Sequence, residues 1–382
     1  MKKYTSEAGQ HFELTDDAFT IAEFSESKSE GTFQGKPIGF FKDAFLRYSR
    51  DRVGMIALIC IVVIILFSIF APVLSRYGYN DQDLNAANLP PKVPGLEKIG
   101  IMDGKTWLTN RRVDQLENTN RYPEGSILQV INHRTVQGVE MCDVQVDAYV
   151  YAGVDADVYH WLGTDYLGRD LWVRLWRGAR VSLFIAFVSV FCNVCIGVVY
   201  GSVSGYYGGK ADMVMMRITE IVGAMPQIVI VTLFVLFFGS GIWSIIFCLL
   251  VQNWIATARV VRAQFYKYRE YEYVLAARSV GVQDGALIFR HILPNSLGPV
   301  ITQAMMSIPG AIFTESFLAY IGLGIQAPEA SMGVLLQTGR QVLLQYPHQT
   351  FAPAIVISLL MVAFNTLSNS LRDAFDPSQR GA

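Results

Sequence analysis

Six stretches of this chain are apolar over longer runs than a globular core requires: residues 53–74, 181–207, 218–238, 242–258, 296–321 and 351–370. A helix needs ~20 predominantly apolar residues to cross the hydrocarbon of a bilayer, and each run comes near that length. Inside lipid every backbone N–H and C=O must be satisfied internally, so only helices and closed barrels span. The runs are continuous rather than alternating, so they read as helices. Only 16% of the residues are charged and 52% are hydrophobic, where a soluble chain carries about 25% charged residues. The reading is an all-α polytopic membrane protein with six transmembrane helices. A net charge of −1 gives no electrostatic footprint for nucleic acid.

The segments outside these runs set the organisation. Residues 1–36 are polar, rich in Ser, Thr and Glu, and lack the apolar core of a signal peptide, so disorder is expected. In residues 37–52, Phe40, Phe41, Ala44, Phe45 and Tyr48 share one helical face, with Lys42, Arg47, Arg50 and Arg52 around it. This suits a helix in the membrane interface, with a soluble-facing amphipathic helix as the alternative. The same arginines precede the first run and place the N-terminus in the cytoplasm by the positive-inside rule. Six crossings then return the C-terminus, with Arg372, to the same side. Residues 75–160 form an extracytoplasmic insertion, and the partly alternating Val, Ile and Tyr of 126–151 predict β-structure there. His133 and His160 stand alone and read as surface histidines. Of five cysteines, Cys60, Cys192, Cys195 and Cys248 lie in apolar runs, so neither a disulfide framework nor a metal site is expected.

Several polar signals interrupt this frame. Gly197, Gly201 and Gly205 repeat every four residues, a small-residue stripe that lets two helices touch backbone to backbone. Gly208-Gly209-Lys210 fails as a phosphate loop, since Ala211 stands where Ser or Thr is needed. Pro226 is expected to kink the third run. Glu315 lies within the fifth, where an ionised carboxyl costs ~2.5–3.5 kcal/mol at mid-bilayer; it must face protein or water, pair with a partner, or touch substrate. Gln252, Asn253, Gln303, Thr314 and Glu315 are candidates to line a polar pathway, with interhelical hydrogen bonding as the alternative for each.

Two motifs carry a resemblance. Residues 271–295 read YEYVLAARSVGVQDGALIFRHILPN. Tyr271, Val274, Leu275 and Arg278 recur at helical spacing, Gly281 breaks the helix, a second short helix follows from Gln283, and Pro294 ends it. This resembles the cytoplasmic loop signature of importer-type ABC transporter permeases: Glu-Ala-Ala, three residues, Gly, nine residues, Ile-x-Leu-Pro. Ala276, Ala277, Gly281, Leu293 and Pro294 match; Leu275 stands for the glutamate and His291 for the isoleucine. Glu272 or Arg278 is left to supply the glutamate's contact. The second motif, residues 161–183, is a polar turn followed by an amphipathic helix with Trp172, Trp176, Arg174, Arg177 and Arg180. It resembles the G-T-D-x-x-G-R-D…R-L…G-A-R-x-S-L stretch of peptide-importing permeases, through Asp165, Gly168, Arg169, Asp170 and Arg180 among others.

The resemblance covers about 160–377 and the first span, and is to the C-type permease subunit of the oligopeptide/dipeptide ABC importer family. It implies the type I ABC importer permease fold, with a core over 161–377, a coupling loop over 259–295 and a tail at 378–382. It implies a second permease subunit, two ATPase subunits that bind the ATP and Mg, and an extracytoplasmic substrate-binding protein. The chain itself then holds no cofactor and is no enzyme. It sits among lipid in a bacterial plasma (inner) membrane and passes oligopeptides. Dipeptides, nickel or another small solute are the alternative cargo. A secondary transporter would need its own coupling-ion site and inverted repeats, and a membrane-anchored receptor would leave the loop unconstrained; both rank behind.

Overall fold

The computed structural model describes residues 2–5, 11–14, 40–155 and 157–375. Two units, 1–43 and 44–382, are distinguished. In the first, β1 (Lys2–Thr5) pairs antiparallel with β2 (His11–Leu14), Lys2 opposite Leu14. The rest of the stretch expected to be disordered lies outside the described residues, as does the tail from 376.

Helix α1 (Phe40–Arg50) leads into α2 (Arg52–Leu74), and Asp51 makes the elbow between them. Its carboxylate accepts from Val53 N and Gly54 N at 3.0 and 3.1 Å, an N-cap that satisfies two otherwise orphaned donors. Tyr48 closes the elbow by donating to the Gly54 carbonyl at 2.7 Å.

Among the described residues, five helices are long and apolar enough to cross a membrane, and a bent pair makes up to six. The five are α2; α4 (Leu171–Tyr207); α7 (Ile242–Gln252) continued by α8 (Trp254–Tyr268); a helix that starts as α10 (Asp284–Ala286) and runs to Tyr320; and α13 (His348–Phe375). The bent pair is α5 (Gly209–Gly223) and α6 (Gln227–Phe238), which meet at 76°. The expected kink at Pro226 is therefore a break. A proline has no N–H and its ring clashes with the carbonyl four residues back, here Val222. That carbonyl and the one of Met225 are taken up by the Gln252 amide, at 2.9 and 2.6 Å.

Helix ends differ from the sequence reading in informative ways. The amphipathic helix of 161–183 and the second span are one 37-residue helix, α4, about 55 Å long at 1.5 Å per residue. The hydrocarbon is ~30 Å thick, so α4 is longer than a single crossing requires. The loop expected over 259–295 is shorter. Residues up to Tyr268 belong to α8, and the next long helix begins at Asp284. Pro294 does not end that second helix. The backbone widens into a π-turn over Leu287–Ile292 and continues as α11 (Leu293–Tyr320). The wider turn accommodates a proline that an ideal α-turn would exclude.

The main core joins α2, α4, α11, α13 and the short α12 (Met332–Gln341), through residues such as Ile61, Ala186, Ile312, Leu335 and Phe364. The glycine stripe packs on α8. A Cβ on Gly197 would lie 2.8 Å from the Trp254 carbonyl, and one on Gly205 2.6 Å from Phe265 Cβ. One on Gly201 would overlap the Ala258 carbonyl.

The insertion between α2 and α4 holds a three-stranded antiparallel sheet and the short α3 (Ala148–Tyr151). Central β5 (Val139–Asp147) is flanked by β3 (Lys105–Arg112) and β4 (Ile127–Val136). Strands β4 and β5 fall within the predicted β-region; β3 lies before it. Strand β3 slips register opposite Asp143 and β4 opposite its neighbour Cys142, and at these slips Asn110 and Asn132 adopt φ of 56° and 55°. Asparagine tolerates that conformation better than most residues. The Asn132 amide and Asn110 N–H bind the Asp143 carboxylate, with Arg134 beside it, and hold its pKa below the usual carboxylate range.

The glycine seam predicts opposite outcomes for one substitution at two sites. Gly201→Ala forces α4 and α8 apart, at a cost of roughly 1–3 kcal/mol. Gly310→Ala meets open space and gains helix propensity, so it is neutral or slightly stabilising. Thermal unfolding of the two purified variants, followed by tryptophan fluorescence, should separate them.

Candidate functional site

Three polar constructions sit on this frame. The first is the G-T-D-x-x-G-R-D turn, which is buried. Arg169 and Arg174 are each 1% exposed and Asp165 3%. The Asp165 carboxylate accepts from Leu167 N, Arg169 N and Arg169 Nε at 2.7–3.0 Å, and Arg174 Nε stands 3.5 Å away. Arg174 also donates to the Tyr79 carbonyl at 3.0 Å. Asp170 caps α4 through Val173 N and binds His160 Nδ1 at 2.7 Å. His160 is therefore a buried partner, not the surface histidine expected. Gly168 has φ of 72° and lies against the Asp83 carbonyl, so no side chain fits there. Arg180 stands apart from this cluster. It donates to the Ser68 and Ile69 carbonyls at 2.8 and 2.7 Å, and Ser68 is the carbonyl freed by Pro72 within α2.

The second construction is α9 (Glu272–Ser279). Its Val274 is fully buried among Tyr206, Val261, Phe265, Leu287, Ile288 and Ile292. Glu272, Leu275, Ala276 and Arg278 are exposed, and Ala277 is half-buried against the cluster. The helix ends by a Schellman-like reversal: Val282 N reaches the Ala277 carbonyl and Gly281 N that of Arg278, with Gly281 at φ of 86°. Nothing lies within 4 Å of a Cβ there, so backbone conformation, not space, selects glycine. Arg278 sits over the Tyr206 ring at 5.4 Å, and the Tyr206 hydroxyl donates to Asp284. The tip of α4 is thus tied to both ends of the loop. Pro294 lies in the first turn of α11, beside Asn295, which donates to the Tyr273 hydroxyl of α9 at 3.2 Å.

The third is a cleft of ≈ 290 Å³ walled by α4, the α7–α8 helix and α11. Asn193, Gln252, Asn253, Thr257, Ser307 and Thr314 give it a polar lining. Asn193 is 3% exposed and its amide oxygen has no hydrogen-bond partner among the described residues. The helices that grip Val274 are the helices that wall this cleft.

These features meet known proteins at the level of sequence. Residues 197–381 match the model for the binding-protein-dependent transport system inner membrane component, and residues 39–91 that for the N-terminal TM domain of oligopeptide transport permease C. The oligopeptide transport system permease protein OppC of Bacillus subtilis is 35% identical over 345 residues, 90% of this chain and 92% of the relative. The dipeptide transport system permease protein DppC of the same organism is 32% identical over 372 residues, 97% and 96% respectively. The chain belongs to the binding-protein-dependent permease family. An inward-facing MetNI methionine ABC transporter aligns with 53% of this chain and 96% of its own at 19% identity, TM-score 0.44.

In this permease, three of the five pathway candidates, Gln252, Asn253 and Thr314, reach the cleft. Gln303 does not line it; its backbone carbonyl accepts from Ser307. Glu315 is fully buried between α4 and α12, taking hydrogen bonds from Ser182 at 2.7 Å and Ser316 at 3.3 Å. Packing turns it into the protein, so it is set aside as a lining residue. Asn193 was absent from the candidates although it is the sole amide side chain of α4. That isolation in an apolar run was the available signal.

Gln252 and Asn253 are adjacent but separable. Gln252→Leu strips partners from two carbonyls at the α5–α6 break and should cost roughly 1–3 kcal/mol. Asn253 is exposed, so Asn253→Leu should leave stability within about 0.5 kcal/mol. Thermal melts of the purified protein in detergent check both.

Proposed function

We propose that this permease forms half of the translocation pathway of an ATP-driven peptide importer. A second permease supplies the other half, two cytoplasmic ATPase subunits hold ATP and Mg, and an extracytoplasmic binding protein delivers cargo. Both termini and α9 then face the cytoplasm, and the β-insertion faces outward. One observation carries the reading: the helices that enclose Val274 of α9 are those that wall the polar cleft. A push on α9 therefore reaches the cleft through packed side chains, which move between discrete arrangements rather than deform continuously.

In this mechanism the exposed face of α9, with Glu272, Leu275, Ala276 and Arg278, docks on an ATPase. Leucine in place of an acidic residue makes that contact more apolar, and Glu272 supplies the charge one turn earlier. ATP-driven approach of the two ATPases displaces α9, and the α4, α8 and α11 bodies switch access from one side to the other. The cleft amides suit peptide backbones, which carry one donor and one acceptor per residue. Oligopeptides are the preferred cargo because the OppC relative is a permease of oligopeptide transport; the DppC relative makes dipeptides the second reading.

Uptake of labelled tetra- and dipeptides into cells expressing the chain with its neighbouring subunits tests this. Gly281→Pro cannot adopt φ of 86° and should abolish uptake. Ala276→Trp, on the exposed face, should leave the permease folded but reduce ATPase co-purification at least tenfold. Normal uptake in both variants would refute the coupling role of α9. Uptake of neither peptide by the wild type would refute the cargo and leave the coupling test to be read from ATPase binding.

A further inference from the structure

A second and larger cavity, ≈ 580 Å³, lies at the end of α2 nearest the β-insertion. One wall is the last turns of α2, with Leu66, Phe70 and Leu74 each 46–80% exposed. Trp161 and Trp172, 5.0 Å apart, also line the cavity, and Phe67 of α2 meets Trp172 edge-on at 6.1 Å. At the rim stand Arg76 and Asp157, both exposed and with no ion-pair partner among the described residues.

Position and chemistry together specify an occupant. The apolar face of α2 runs without interruption from Val62 and Val63 into the groove, so the groove opens onto the surface that faces hydrocarbon. Tryptophans at the end of a span mark the headgroup level, where an aromatic ring can sit between oil and water. Acyl chains fill such a wall at no desolvation cost, whereas water would leave it unfavourably wet. The rim carries one cation and one anion, a pair that complements a zwitterion rather than a purely anionic headgroup. Arg76 can fork onto a phosphate. A carboxylate only accepts hydrogen bonds, and a primary ammonium donates them where a quaternary one cannot.

We infer that this groove is a binding site for one glycerophospholipid with a primary-ammonium headgroup, its phosphate on Arg76, its ammonium on Asp157 and an acyl chain against α2 and the Trp161–Trp172 pair. The site is one the bilayer itself fills, and it depends on the membrane-spanning architecture, not on cargo or coupling. A lipid held there braces the end of α2 against the buried Asp165–Arg169–Arg174 turn, since Asp170 of that turn also borders the groove.

The assembled transporter, reconstituted in nanodiscs of defined ethanolamine, choline or glycerol phospholipid and released into mild detergent, would be weighed by native mass spectrometry. One retained ethanolamine lipid per copy is expected, with at least fivefold less choline or glycerol lipid. Arg76→Glu should cut retention at least fivefold and Arg76→Lys should largely keep it. Asp157→Asn, a mild change at an exposed residue, should erase the preference for ethanolamine over choline and so tests the site even if Arg76→Glu fails to assemble. Equal retention of all three headgroups, or retention unchanged in both Arg76→Glu and Asp157→Asn, would overturn the inference. So would efficient crosslinking of Leu74→Cys to the second permease, which would show protein and not lipid in the groove.

Discussion

A backbone that crosses lipid must satisfy every N–H and C=O from within the protein, and this chain is organised by how it does so where prolines interfere. Pro72 frees the Ser68 carbonyl, and Arg180 of α4 occupies it. Pro226 frees the Val222 carbonyl, and Gln252 of α7 occupies it. Pro294 follows a π-turn that widens the helix before the ring. In two cases the repair comes from another helix, so a local backbone defect becomes a tertiary tie. The same rule explains why Gln252, a residue that looks like a pathway lining, spends its amide on structure.

Around these ties the protein divides into rigid and addressable parts. The glycine seam sets α4 and α8 at backbone contact, and the buried Asp165–Arg169–Arg174 cluster fixes the N-terminal end of α4. Removing one member of such a cluster leaves uncompensated buried charge, which costs several kcal/mol. At the opposite end of α4, Tyr206 touches Arg278 and Asp284, and Val274 wedges between three helices. One end of the helix is thus locked by ion pairs, while the other is held by Tyr206, by Ser204 on the Asp212–Arg262 ion pair and by the apolar plug of Val274.

Much of this was legible in the residues. Uninterrupted apolar runs announce spanning helices, because hydropathy over ~20 residues needs no knowledge of neighbours. The glycine spacing announced a close helix contact, and the Gly281 position a helix end, since both depend on local backbone geometry. The resemblance to ABC importer permeases was carried by two short motifs, one of which forms the buried turn and the other α9. Helix ends were less legible: the arginines of α4 looked like a boundary but lie on one unbroken helix, and Pro294 looked like a stop.

The sequence alone determined the class of protein, the approximate spans and the two motifs that mark its family, because these follow from composition and short-range spacing. Only the tertiary structure decided what each polar residue does. Glu315, Gln252, Asn193 and His160 are all polar residues in or beside apolar surroundings, and nothing local distinguishes them. Glu315 is buried against serines, Gln252 repairs a broken helix, Asn193 opens onto the cleft, and His160 is held by Asp170. Those fates depend on which helix packs alongside, and burial from water makes each such pairing strong enough to dictate where the side chain points.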